Sequence, residues 1–256
     1  MTERSQIKAL VACDLDGTLL AADGSPAPGI AAALADLAAR GARLVVCTGR
    51  PLYGAEKAVA VLRADPVAYV CYHGALVVDA ATGERLRHLT IPADAATGIV
   101  DEARERGLSA TVYDGDERRD LAPAAGGAAL DLRALAGITR IVLSGPPALV
   151  AESFPGLGAT WGSGLRLEQA GDGIVDVLHG GADKGDALRL VAAHLGVPGA
   201  LIVACGDAAA DESLLLAAAV RMAVGDAPVS LRAAAQLVVS QAGLAEALRR
   251  AAESWG

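Results

Sequence analysis

An apolar run that stops abruptly on two acids constrains this chain more than any other feature: residues 10–20 read LVACDLDGTLL. Leu10, Val11, Ala12 and Cys13 have the length and all-apolar character of a strand buried on both faces, and Gly17 permits a sharp exit from it. Asp14 and Asp16 therefore stand at a strand's carboxyl end, the edge of an open α/β sheet at which ligands bind. Two readings of the pair are open. In one, Asp16-Gly17 is a plain turn and Asp14 a cap for a helix or loop. In the other, Asp14 attacks phosphorus to give an aspartyl-phosphate, while Asp16, just past the same bend, protonates the leaving oxygen and later deprotonates water.

A strand–helix rhythm follows. Pro26 and Pro28 lead into an Ile30, Leu34, Leu37 stripe that Gly41 ends, which predicts a helix. Residues 43–47 (RLVVC) predict a second buried strand, broken by Thr48-Gly49-Arg50-Pro51. A helix carrying Ala55, Val59 and Leu62 and a strand over 68–72 come next. This alternation implies a parallel sheet with right-handed crossovers. From Gly74 the pattern changes: 76–78 and 85–91 read as a hairpin leaving the sheet. A helix near 95–106 and short strands at 109–113, 138–143, 165–167 and 174–178 lack the long crossovers of parallel pairing, so an insert with a mostly antiparallel sheet is expected. Residues 123–129 (PAAGGAA) read as a loop. The rhythm returns at Asp183, an N-cap candidate for a helix with Leu188, Val191 and Leu195. A strand over 201–205, a helix from Glu212, strands near 222–224 and 237–239 and a helix from Leu244 complete it. The expected fold is α/β, a Rossmann-like doubly wound parallel sheet core (1–82 and 180–256) with an inserted α+β domain (83–179).

Composition narrows the function. Hydrophobic residues are 53% and aromatic ones only 3%, so Ala, Val and Leu must fill the core by close helix-on-sheet packing. A formal net charge of −8 excludes a general nucleic-acid or anionic-membrane face, both of which need a basic surface, and still leaves room for a local cationic pocket. No apolar run approaches a bilayer's thickness, and MTERSQIK carries both signs of charge, so the expectation is a cytoplasmic protein with no membrane partner. Cys13, Cys47, Cys71 and Cys205 each close an apolar run and form no C-x-x-C, predicting small buried thiols.

If the strand ends share one cleft, Thr48, Lys184 and Asp207 join Asp14 and Asp16 there. A transferring phosphoryl group spreads charge over its equatorial oxygens, and Thr48 and Lys184 supply a donor and a cation for it. Asp14 and Asp207, with a backbone carbonyl such as that of Asp16, suit Mg²⁺, a hard ion that takes oxygen ligands. Asp211 either reaches the metal's waters or Lys184, or caps the helix before Glu212. A lysine beside the positive end of a helix dipole is a poor local choice, which favours a functional Lys184 over a solvated one. In the insert, Arg118 and Arg119 of DGDERRD either grip a second anionic group or belong to a solvated charged loop.

The ordered set DLDGTLL, CTGRP, DKGDAL and CGDAAAD resembles the four motifs of the haloacid dehalogenase (HAD) superfamily, particularly the Cof-type (HAD-IIB) sugar phosphatases with a large α+β cap after the third core strand. The resemblance implies that Asp14 is the nucleophile and Asp16 the general acid/base. It implies that Thr48, Gly49 and Lys184 bind phosphate and that Asp207, with Asp14, Asp16 and Asp211, holds Mg²⁺. An acid at position 16 resembles the phosphatase and phosphomutase branches rather than the dehalogenases. Asp176 resembles the acid that precedes the third motif in cap-bearing relatives, implying contact with substrate hydroxyls. Two departures stand out: Ala210 where the family usually has Asn, and His73-Gly74-Ala75 where relatives read Asn-Gly-Ala. His73 either touches substrate or caps the strand end. The implied activity is Mg²⁺-dependent hydrolysis of a small-molecule phosphate ester, a sugar or polyol phosphate, by a monomer or homodimer whose cap closes over the substrate. A sugar phosphomutase and a non-catalytic sugar-phosphate-binding regulator are the alternatives.

Overall fold

In the computed structural model, which describes residues 7–115, 117–121, 131–135 and 137–253, the acid-terminated run is strand β1 (Ala9–Cys13), buried at every residue. The helix α1 (Ile30–Ala39) buries Ile30, Ala33, Leu34 and Leu37, and Gly41 ends the turn after it at φ 91°. Strand β2 (Ala42–Cys47) pairs in parallel with β1, α2 (Leu52–Leu62) buries Ala55, Ala58, Val59 and Leu62, and β3 (Pro66–Cys71) pairs in parallel with β2. The hairpin β4 (Leu76–Asp79) and β5 (Arg85–His88) corrects the expectation that it leaves the sheet: β4 pairs antiparallel with β3 and β5 lies beyond it. Four consecutive buried residues, Leu76 to Asp79, need cover on both faces, which continuing the main sheet supplies. Buried Asp79 closes the turn, its Oδ1 accepting from the Ala81 and Thr82 N–H groups and the Thr82 hydroxyl.

His88–Ala182 forms a unit of its own, so the division falls after Arg87 and Ala182 rather than after residues 82 and 179, β5 staying with the first sheet. This second unit contains α3 (Ala93–Glu105), β6 (Ser109–Asp114), β7 (Glu117–Leu121), β8 (Ile138–Ser144), α4 (Pro147–Trp161), β9 (Leu165–Gln169) and β10 (Ile174–His179). Among the described residues its strands form an antiparallel sheet in the order β7-β6-β8-β10-β9, around a core that includes Ile99, Leu108, Val112, Ile141, Leu143 and Leu157. Two of these elements depart from the sequence reading. The charged stretch taken as a loop is in part the edge strand β7, where Arg118 bonds Asp120; a charged edge resists pairing with another chain. Helix α4 is hidden by Pro155, Gly156 and Gly158, and buried Val150, Ser153 and Leu157 hold it in place. The loop expected at 123–129 lies outside the described residues.

The chain then returns to the first unit with α5 (Lys184–Leu195), whose N-cap Asp183 accepts from the Asp186 N–H at 2.8 Å. Strand β11 (Ile202–Gly206), α6 (Glu212–Leu216), β12 (Val220–Val224), α7 (Val229–Ala234), β13 (Leu237–Val239) and α8 (Leu244–Glu253) follow. The eight strands run β13-β12-β11-β1-β2-β3-β4-β5, parallel from β13 to β3, with β1 at the centre. Leu10 and Ala12 of β1 pack with Leu188 and Val191 of α5 and Leu214 of α6. α1 and α8 pack together, and α1 also packs on β2. All four cysteines are buried thiols outside any disulfide. Among the described residues no helix is long and apolar enough to cross a membrane.

Candidate active site

Because β11, β1, β2 and β3 are parallel neighbours, their carboxyl ends share one edge, and the loops leaving them meet there. Asp14 follows β1, with its N–H donating to the Cys205 carbonyl of β11 at 3.0 Å. Thr48 follows β2, with its N–H on the Val70 carbonyl of β3 at 2.8 Å. Lys184, at the start of α5, joins Asp14 to Asp211: its Nζ stands 2.7 Å from Asp14 Oδ1 and 2.6 Å from Asp211 Oδ1. All three groups are buried. Burial alone disfavours the ammonium, but the two carboxylates outweigh it and hold the Lys184 pKa above its ordinary value. Burial also pushes Asp14 up to about 7; Lys184 opposes this, and the charges of Asp211 and Asp207 add to it.

Asp207 completes a second cluster. One carboxylate oxygen from each of Asp14, Asp207 and Asp211 lies within 4.8 Å of the others, a set of hard oxygen donors that fits a small divalent cation such as Mg²⁺. Burial raises the Asp207 pKa, against a 2.8 Å bond it accepts from the Thr18 hydroxyl. Gly17 is what allows Asp207 in: it has φ 78°, and a Cβ there would meet Asp207 Oδ2 at 2.1 Å. Asp211 does not cap α6. Its Oδ2 turns back to accept the Asp207 and Ala208 N–H groups at 3.1 Å each, so backbone donors order the loop in which Ala210 sits.

The Asp16 carboxylate is held by a residue to which sequence reasoning gave no role. Arg50 grips it with both arms of its fork, Nε to Oδ2 at 2.8 Å and Nη2 to Oδ1 at 2.5 Å, and Asp16 raises the Arg50 pKa in turn. The available signal was a cation two residues beyond Thr48 at a strand end. Thr18 was missed likewise, figuring only as one position of the DLDGTLL run.

His73 sits in a strained corner after β3. Tyr72, His73 and Gly74 all adopt positive φ, at 49°, 54° and 100°. The corner is tied to the Thr48–Arg50 loop, the Tyr72 N–H donating to the Arg50 carbonyl at 3.2 Å and the His73 N–H to the Thr48 carbonyl at 3.1 Å. The His73 ring lies so close to Gly49 that a Cβ there would stand 2.5 Å from its Nε2. Eight of the nine residues expected at the site thus come to one edge: Asp14, Asp16, Thr48, Gly49, His73, Lys184, Asp207 and Asp211. Asp176 belongs to β10 of the second unit, where it is buried and accepts three bonds from Arg140 at 2.5–3.0 Å. Its carboxylate is thus ion-paired within the second unit.

The family model of the haloacid dehalogenase-like hydrolases matches residues 11–120 and 135–248. The chain is 25% identical over 246 residues to "Putative phosphatase YxeH" of Bacillus subtilis (strain 168), a match spanning 88% of this chain and 90% of that protein. A haloacid dehalogenase-like hydrolase from Bacteroides thetaiotaomicron has the same fold, with TM-score 0.83 at 22% identity over 95% of this chain and 99% of the other. The HAD subclass IIB sugar phosphatase BT4131 superposes with TM-score 0.76 at 18% identity, over 94% and 98%.

Proposed function

The chain belongs to the haloacid dehalogenase-like hydrolases, and from that membership we propose that it is a phosphatase acting on a small phosphorylated metabolite, of the sugar- or polyol-phosphate class, through an aspartyl-phosphate on Asp14. The observation that carries the proposal is the buried Asp14–Lys184–Asp211 group beside Asp207, in which a lysine fixes one oxygen of an otherwise costly buried carboxylate. Such an arrangement has little structural rationale at a strand end and a clear chemical one. The phosphatase name of the Bacillus subtilis relative supports the reaction, and the sugar-phosphatase name of BT4131 supports the substrate class.

With Oδ1 held by Lys184, Asp14 presents Oδ2 to phosphorus; the new O–P bond forms as the bond to the leaving oxygen breaks, and Asp16 gives that oxygen its proton. Asp16 then takes a proton from water, whose oxygen attacks phosphorus, freeing inorganic phosphate and the Asp14 carboxylate. The Thr48 oxygen accepts the Arg50 N–H at 3.1 Å, so the hydroxyl's own hydrogen is available to an equatorial phosphoryl oxygen. Lys184 lowers the repulsion between nucleophile and phosphoryl anion. Asp14 and Asp207, with the Asp16 carbonyl and Asp211 behind them, would hold Mg²⁺. When bound, that ion neutralises charge on the phosphoryl group and the nucleophile.

The test is phosphate release from a panel of phosphate esters, with and without Mg²⁺, by the wild type and Asp14→Asn. The variant is expected to lose about 10³-fold or more in kcat while keeping its circular dichroism spectrum. Full activity in Asp14→Asn ends the mechanism. A sugar-phosphate isomer formed without free phosphate identifies a mutase instead, and absence of any Mg²⁺-stimulated turnover identifies a binding protein.

A further inference from the structure

We propose that Arg50 is an anion-operated latch on Asp16: a bound phosphoryl group draws the Arg50 guanidinium away, and only then is the Asp16 carboxylate released for its part in the reaction. The inference rests on the phosphatase reading above and adds to it an ordering of events. As the residues stand, Asp16 cannot act. Each of its oxygens already accepts a charge-assisted bond from the Arg50 fork, and the proton that Asp16 takes up from solvent and then gives to the leaving oxygen would have to displace one of them.

Three features make Arg50 a moving part and not a strut. First, its backbone is clamped from both sides, whereas its side chain is held by Asp16, the group it is to leave: the N–H donates to the Thr48 hydroxyl oxygen at 3.1 Å and the carbonyl accepts the N–H of fully buried Tyr72 at 3.2 Å. Tyr72 holds that donor in place from a left-handed backbone conformation, which costs energy and persists because its surroundings fix it. Second, the ion pair is open to solvent, with 34% of the Arg50 side chain and 58% of the Asp16 side chain exposed, so a competing anion can reach the guanidinium. Third, Arg50 follows the Thr48-Gly49 loop proposed to take the phosphoryl oxygens, and the Asp14 charge already acts on its guanidinium. A phosphoryl dianion offers the same fork geometry as a carboxylate with more charge, so it outcompetes Asp16 for Arg50. The enzyme then frees its acid/base only when a phosphoryl group is in place, and water in an empty site meets a locked Asp16.

The latch predicts a competition measurable without turnover. Inorganic phosphate binding to the full chain, with Mg²⁺ present, is measured calorimetrically for the wild type, Asp16→Asn, Arg50→Gln and the double variant. Because Asp16→Asn ends the competition for Arg50, it is expected to bind phosphate about fivefold tighter than wild type, and Arg50→Gln about tenfold weaker. In the double variant the gain from Asp16→Asn disappears, which supports the latch. If the gain persists at full size without Arg50, it is only relief of charge repulsion, and the latch is overturned. Unchanged affinity in Arg50→Gln overturns it as well, leaving the phosphatase reading intact. No phosphate binding by the wild type overturns both. Circular dichroism checks each fold, and Arg50→Met, which keeps the aliphatic stem, takes the place of Arg50→Gln in the cycle if the latter does not fold.

Discussion

Lys184 is a single cation buried against two carboxylates, with a third acid, Asp207, close by. Removing one partner of a buried ion pair leaves the other charge uncompensated, which costs far more than the pair contributes. Lys184→Met is therefore expected to lower stability by about 3–5 kcal/mol in urea unfolding without Mg²⁺ at about pH 8, where Asp14 has lost its proton. A loss below about 1 kcal/mol would show that Asp14 and Asp211 are compensated by something other than this ammonium. Most of these residues are legible in the sequence because each follows an apolar run or opens a helix. Arg50 is not, since nothing in a linear CTGRP says that its fork crosses to Asp16, 34 positions away. Asp211 shows the same limit: its spacing allows a helix cap, and its carboxylate instead turns back to Lys184 and two backbone N–H groups.

At the scale of elements, α5 carries Lys184 at its first residue, so the helix's entry point fixes where the ammonium lies. That entry is set by the Asp183 cap and by Gly74, where a Cβ would meet the Asp183 carbonyl at 2.2 Å. Asp183→Ala is expected to cost about 1 kcal/mol, read as a lower midpoint in thermal unfolding, together with a fall in kcat from the loosened Lys184. An unchanged midpoint would mean that packing of Leu188 and Val191 holds the helix start without its cap. Elements with strong periodicity, such as β1, α1 and α5, agree with the sequence reading to within a residue or two. α4 escaped because its Pro and Gly residues oppose helix formation locally and only its packing overrides them, and β7 escaped because its charges look like a loop until β6 pairs with it.

For the molecule as a whole, the acidic edge ties stability to pH and to metal. In the absence of Mg²⁺ the folded chain keeps a proton on Asp14 up to about pH 7, whereas the unfolded chain loses it near the ordinary carboxylate value. The folded state thus binds more protons across that window, and this group's contribution to stability is full below about pH 4 and is lost as pH rises to about 7. Mg²⁺ needs the deprotonated carboxylates, so the rise in Tm on adding it is expected to be larger at about pH 8 than at about pH 5. A rise independent of pH would place the ion elsewhere. By itself the sequence determined the strand–helix alternation, the parallel core, the inserted antiparallel region and the identity of the acids at the strand ends, because hydrophobic period and turn residues act over a few neighbours. Only the tertiary structure decided that Lys184 sits between Asp14 and Asp211, that Asp207 reaches in over Gly17, that Arg50 holds Asp16 and that Asp176 pairs with Arg140. Those contacts join segments as far apart as Gly17 and Asp207, and their geometry depends on which strands become neighbours, a choice made by packing the whole sheet and not by any one stretch of it.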